Sequence, residues 1–153
     1  KITVTKVYDG EAAFRGSTEF APISASGGVV TLGNGTTTVP SARGCTLSAV
    51  CNYAINEAAA GSYQGRLYLY WRNVTDNGPL NLLGFQDGSV AVIVNNGTVE
   101  EPQFNETPGT VSASFGFTSP AGDKAIYFEA RLERIAGDRI VTARGSMKLE
   151  VSS

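Results

Sequence analysis

Apolar and polar residues alternate along nearly the whole of this chain, and Gly, Asn, Asp or Pro breaks the alternation every few residues. Successive side chains of a strand point to opposite faces, so alternation marks strands buried on one side. A helix would instead space its apolar residues about 3.6 apart. Ile2 to Tyr8 opens with a β-branched run that stops at Asp9-Gly10. Val29 to Leu32 and Thr36 to Val39 flank Gly33-Asn34-Gly35, which reads as a hairpin tip requiring positive φ. Tyr63 to Arg72 reads as a long strand with Leu67, Leu69 and Trp71 on one face and Tyr68, Tyr70 and Arg72 on the other. Leu80 to Phe85 and Ser89 to Val94 make a hairpin about Asp87-Gly88. Val111 to Phe117 and Lys124 to Arg134 are joined by Ser-Pro-Ala-Gly-Asp. Arg139 to Ala143 follows the turn Ala136-Gly137-Asp138, and Met147 to Val151 ends the series.

Residues 47–60 read two ways. Leu47, Val50, Cys51, Ala54 and Ala58 fall at helical spacing, with Gly61 placed just past a helix end. As a strand, Cys51, Tyr53 and Ile55 share a face, and the strand-rich context favours this. The expected fold is all-β, a single antiparallel β-sandwich domain of about 8–10 strands over residues 1–153.

Charged residues are 17% of the chain and the net charge is −2. With no basic cluster there is no footprint for nucleic acid. No apolar run approaches the ~20 residues that cross a bilayer as a helix. The sequence starts at Lys1 and its single Met is Met147, as in a processed mature chain.

Four Asn-x-Thr tripeptides begin at Asn34, Asn73, Asn96 and Asn105. With 9 Asn and 14 Thr in 153 residues, chance placement gives about one. Each is an acceptor pattern for N-glycosylation, which places the chain outside the cell. Asn-Gly turns account for part of the excess at Asn34 and Asn96, so Asn73 and Asn105 are the stronger candidates. All four are expected at strand ends and loop tips. Cys45 and Cys51 are the two cysteines. As a disulfide they would close a short loop worth roughly 2.4 kcal/mol and agree with an oxidising compartment. Two buried thiols or a redox pair are the alternatives to that bridge.

Two stretches are alike: Cys51 to Arg72, through Ala60-Gly61-Ser62-Tyr63, and Ser114 to Glu133, through Pro120-Ala121-Gly122. Each joins a short strand to a long aromatic-rich one through a corner of small residues. This resembles secreted immunoglobulin-like sandwiches in a loose sense, and the resemblance implies that Tyr63 stands at a tyrosine corner. It departs from antibody domains in that Cys45 and Cys51 are too close to bridge two sheets. The terminal run Lys1 to Tyr8 also resembles the donated strand of pilins assembled by strand exchange. That resemblance implies strand donation through Ile2, Val4, Lys6 and Tyr8 to a neighbouring copy.

Catalytic chemistry finds little to work with. There is no histidine, which removes the commonest general base and most zinc sites. Glu129 and Glu133 share a strand face with Arg131 between them, roughly 13 Å apart and too far for glycoside hydrolysis. They read as a solvated face of alternating charge. Asp9, Asp76, Asp87 and Asp138 sit in turn contexts with no calcium-loop pattern. No enzyme, cofactor or metal is expected. Tyr68, Tyr70 and Trp71 could form an aromatic platform for glycans, although aromatics in strands more often fill the core or pair across strands. The expected function is a non-catalytic extracellular subunit that polymerises with copies of itself into a cell-surface filament. A carbohydrate-binding module and a viral or surface-layer shell protein are the alternatives.

Overall fold

The computed structural model describes residues 2–6, 29–54, 60–137 and 142–152. Within them lie β1 (Ile2–Lys6), β2 (Val29–Val39), β3 (Gly44–Ala54), β4 (Gly61–Asn73) and β5 (Asn81–Asp87). They are followed by β6 (Ala91–Asn95), β7 (Phe104–Thr107), β8 (Gly109–Thr118), β9 (Lys124–Ala136) and β10 (Thr142–Val151). The ambiguous segment is a strand as far as Ala54. β3 buries Cys45, Leu47, Ala49, Cys51 and Tyr53, while Val50, which a helix would have buried, is half exposed. Residues 55–59 lie outside the described residues.

One sheet has the order β1-β10-β3-β8, and the other begins β2-β9-β4. The far side of β4 is shared. Gly61 to Tyr63 pair with β6, which carries β7, and Arg66 to Trp71 pair with β5. All of these pairings are antiparallel. The sandwich is thus as expected, and its strand order can be stated more finely. The sheets 1-10-3-8 and 2-9-4-5 are linked so that β1, β2, β3 and β4 alternate between them, as do β8, β9 and β10. That is the connectivity of a double-sheet jelly roll. In the immunoglobulin order, by contrast, several consecutive strands pair within one sheet.

The inner faces meet in a core. Leu47, Cys51, Met147 and Leu149 from the first sheet and Leu32, Leu67, Leu69, Ile126, Phe128 and Leu132 from the second are buried. Each fully buried Leu or Ile contributes about 1.5–3 kcal/mol.

Two expected hairpins are absent. β2 runs unbroken through Gly33-Asn34-Gly35 against β9, and a bulge between Thr31 and Gly33 takes up the irregularity. β5 and β6 lie one after the other along β4, so Asp87-Gly88 links them without folding them together. The chain from Thr142 to Val151 is one strand, residues 139–141 of the expected strand before it lie outside the described residues, and Phe104–Thr107 forms a further short strand.

The expected Cys45–Cys51 disulfide is also corrected. Both cysteines are free, buried and on the same strand. Six residues of extended chain separate their Cα atoms by about 20 Å, far beyond the ~4.4–6.8 Å of a disulfide. Neither thiol is expected to react with Ellman's reagent in the native protein, and both should react at once on unfolding. Rapid titration of either thiol without denaturant would show that this part of β3 is wrongly placed.

Tyr63 is buried at the start of β4, with its ring against Gly61 and Gly137. A second phenol ties the fold together from β3. Tyr53 lies between Gly88 and Gly109 and donates its hydroxyl hydrogen to the Ser89 carbonyl. The backbone at Ser89 is fixed further by bonds of 2.9 Å each, from its N–H to the Thr110 carbonyl and from the Thr110 N–H to its Oγ.

Candidate functional site

Away from the core the two sheets differ in chemistry. The outer face of the first sheet is mostly small and hydroxylated, with Arg144, Lys148 and Glu150 along β10. Ser48, Asn52, Ser112, Ser114 and Ser146 line an open depression of about 800 Å³ there. The outer face of the second sheet carries aromatic residues interleaved with charged ones. On β4, Arg66, Tyr68 and Tyr70 alternate with the buried Leu67 and Leu69. Their neighbours on β9 are Glu133, Arg131 and Glu129, and β5 sets Asp87 beside Arg66, Phe85 beside Tyr68 and Leu82 beside Tyr70.

These side chains form one stack. The Arg66 guanidinium lies 4.5 Å from the centroid of Phe85, whose ring is 5.8 Å from that of Tyr68. Tyr68 and Tyr70 stack at 6.3 Å with 20° between their planes, and the Arg131 guanidinium lies 4.5 Å over Tyr70. Each ring therefore lies against a neighbouring ring or a guanidinium, and the stack ends in a cation on both sides. Trp71 is not part of it. It sits on the inner side of β4, stacked on Phe117 at 4.6 Å. The flat row of three open ring faces expected for a glycan platform is not what the structure brings together.

The carboxylates are equally committed. Glu133 accepts the Tyr68 hydroxyl hydrogen at 2.5 Å, and Glu129 accepts from both Tyr127 and Arg131 Nε. Glu129 is only 5% exposed, which corrects the expectation of a solvated charged face. Burial, reinforced by the bond to Glu129, pushes the Tyr127 phenol up to about 12. The bond to Glu133 raises Tyr68 in the same way, with burial adding to it. Arg66 donates to Asp87 at 2.5 Å and holds that carboxyl below its ordinary range. These groups stabilise one another, and no carboxylate among them is positioned as a base beside a nucleophile.

The four Asn-x-Thr sites fall in different settings. Asn34 lies within β2 opposite Glu129, and its amide bonds Tyr127, so it is on a sheet face rather than at a loop tip. Asn73 ends β4, donating to Asp76 at 2.8 Å, while Thr75 Oγ1 accepts the Ala125 N–H at 2.8 Å. The polar atoms of that tripeptide thus close the turn after β4. Asn96 is exposed in the link from β6 to β7, as expected, and Asn105 is exposed on the short edge strand β7. In the N-terminal arm, Ile2, Val4 and Lys6 pair with Val151, Leu149 and Met147 of the same chain, so β1 completes its own sheet. Tyr8 lies outside the described residues.

The comparisons with known proteins give no family. No family model matches the chain, and no curated protein matches it in sequence. Among solved structures it is similar to infectious bursal disease virus strain Gx, with a TM-score of 0.41 and 14% identity, covering 97% of this chain and 30% of that one. For strain Gt the values are 0.34 and 11%, covering 98% and 42%. For particles with T=1 symmetry derived from the same virus they are 0.32 and 12%, covering 98% and 40%. The chain thus spans well under half the length of these chains.

Reading the sequence alone missed Tyr53 as a tether and Glu129 as a buried carboxylate. The signal for the first was a Tyr on the apolar face of a strand, where a buried hydroxyl must find an acceptor. No single-strand pattern signals the second, because the groups that cover Glu129 include β4's Tyr70 side and β2's Asn34 side.

Proposed function

We propose that this chain is a non-catalytic structural subunit that packs with copies of itself into a protein shell. The strand order carries the reading. Sheets ordered 1-10-3-8 and 2-9-4-5 make a double-sheet jelly roll, an architecture of viral capsid and lectin domains. The outer faces favour the first use over the second. Sugar recognition needs ring faces and carboxylates turned to solvent, whereas here Tyr70 and Phe85 lie under guanidinium groups and Glu129 and Glu133 are hydrogen-bonded. Leu82 on β5, Val94 on β6 and Leu80 and Val90 just before them are exposed, as contact surface between subunits would be.

Because one architecture serves many functions, assembly itself is the test. Light scattering and negative-stain imaging are expected to show discrete oligomers or closed particles. A monomer at every concentration would overturn the reading. Open filaments that vanish on deleting Ile2 to Lys6 would favour donation of β1 to a neighbour instead.

A further inference from the structure

Five described strands stand at sheet edges: β1 and β8 in the first sheet, and β2, β5 and β7 in the second. Unpaired edges invite pairing with other chains, so proteins blunt them by shortness, charge or bulges. β1 has 5 residues, and β7 has 4 and carries Glu106. β5 carries Asp87, and its ladder with β4 shifts between Leu69 and Tyr70. β2 has its bulge between Thr31 and Gly33. β8 has none of these devices. It is 10 residues long, without charge or proline, and pairs with β3 without a shift.

The backbone groups that face outward can be named. Thr110 bonds Ser89 through both its carbonyl and its N–H, so its backbone points away from β3. Both groups of a residue in an antiparallel ladder point the same way, and those of the next residue point the other way. Ser112, Ser114 and Gly116 therefore turn their N–H and C=O groups outward, and among the described residues no strand lies beyond them.

We propose that β8 pairs antiparallel with β8 of a second copy about a two-fold axis at Ser114, joining two four-stranded sheets into one. From Ser112 to Gly116 the strand is self-complementary in this register, the outward groups of Thr110 being taken by Ser89. Ser114 faces Ser114 of the partner subunit, and Ser112 and Gly116 face each other twice, giving roughly six backbone hydrogen bonds. Only hydroxyls and hydrogen atoms meet on the outer face, and Ser48 and Ser114 already share a hydroxyl contact at 2.9 Å. Arg144, Lys148 and Glu150 are on β10, two strands back and about 10 Å away, so no like charges meet across the axis. Such a contact is isologous and uses up the edge it joins.

The proposal rests on the reading of the chain as self-assembling, and cross-linking separates the two. In Ser114→Cys the paired Cα atoms would be about 5.5 Å apart, within reach of a short bifunctional thiol reagent. In Ser112→Cys the equivalent atoms would be about 13 Å apart. The buried Cys45 and Cys51 serve as silent controls. Most of the Ser114→Cys chain is expected at twice its mass. Neither Ser112→Cys nor Gly116→Cys should link alone, and an equal mixture of the two should. Wild-type protein that assembles while Ser114→Cys stays unlinked would overturn this contact and leave the shell reading standing. Equal linking of Ser112→Cys with itself would overturn the register. A wild-type chain that never associates would remove both readings.

Discussion

Replacing Tyr53 with alanine is expected to destabilise the fold by about 3–5 kcal/mol, enough to leave a marginal domain largely unfolded. The ring is fully buried at the end of β3, and its hydroxyl reaches the Ser89 carbonyl in the link between β5 and β6. Loss of the side chain opens a cavity between the sheets and releases the link that also holds Thr110 at the start of β8. The two glycines against the ring make the effect separable. A Cβ at Gly109 or Gly88 would fall inside contact distance of the Tyr53 ring or hydroxyl, so Gly109→Ala should cost about 1–3 kcal/mol through overpacking. Tyr53→Phe removes only the hydrogen bond to the exposed Ser89 and should cost about 0.5–1.5 kcal/mol. Combining Tyr53→Leu with Gly109→Ala should cost less than the sum, because the smaller side chain vacates the space. Urea melts with an unchanged m-value measure all of these. A Tyr53→Ala protein as stable as wild type would refute the tether.

The second large effect is expected in alkali. Burial pushes the Cys51 thiol up to about 12 from an ordinary 9.0, and it raises Cys45 as well. Tyr127 rises to about 12 from an ordinary 10.0, and Tyr53 and Tyr68 are raised too. A raised acid keeps its proton in the folded state at a pH where the unfolded chain has released it. Stability from these groups is therefore complete below their ordinary values and falls as pH climbs towards the folded ones. Melting temperature should hold to about pH 9 and then drop, more steeply above about 10 as the tyrosines join the thiols, until unfolding near pH 12. The tyrosinate absorbance of Tyr53, Tyr68 and Tyr127 should appear with the unfolding transition rather than before it. Cys51→Ala should flatten the first part of the fall. A melting temperature that stays level between about pH 9 and 11 would contradict the burial of these groups.

Much of the strand content was legible because each strand buries one face. The Tyr63 to Arg72 alternation matches β4, and it set Leu67 and Leu69 inward and Tyr68 and Tyr70 outward as observed. What failed was inference from turn residues and from spacing. Gly33-Asn34-Gly35 has the composition of a hairpin tip, yet glycine also suits a bulge, and nothing local says which is used. Cys45 and Cys51 are close in number, but on an extended strand sequence distance becomes real distance and the bridge is out of reach. The Glu129 environment depends on which strands flank β9, and that information is non-local. So is the order of strands, which defines the jelly roll and hence the proposed role.

The position of β10 bears on how the protein is made. It lies between β1 and β3, pairing with Ile2–Lys6 on one side and with Cys45–Ala54 on the other. β1 is made before β3 yet both wait for β10, so the first sheet cannot assemble in the order of synthesis. Until residues 142–151 emerge, β1 and β3 have no strand to join them. Folding is then a late event dominated by distant pairings, which is slow and leaves strand edges exposed in the meantime. A nascent chain of this design depends on protection from its neighbours until β10 has emerged.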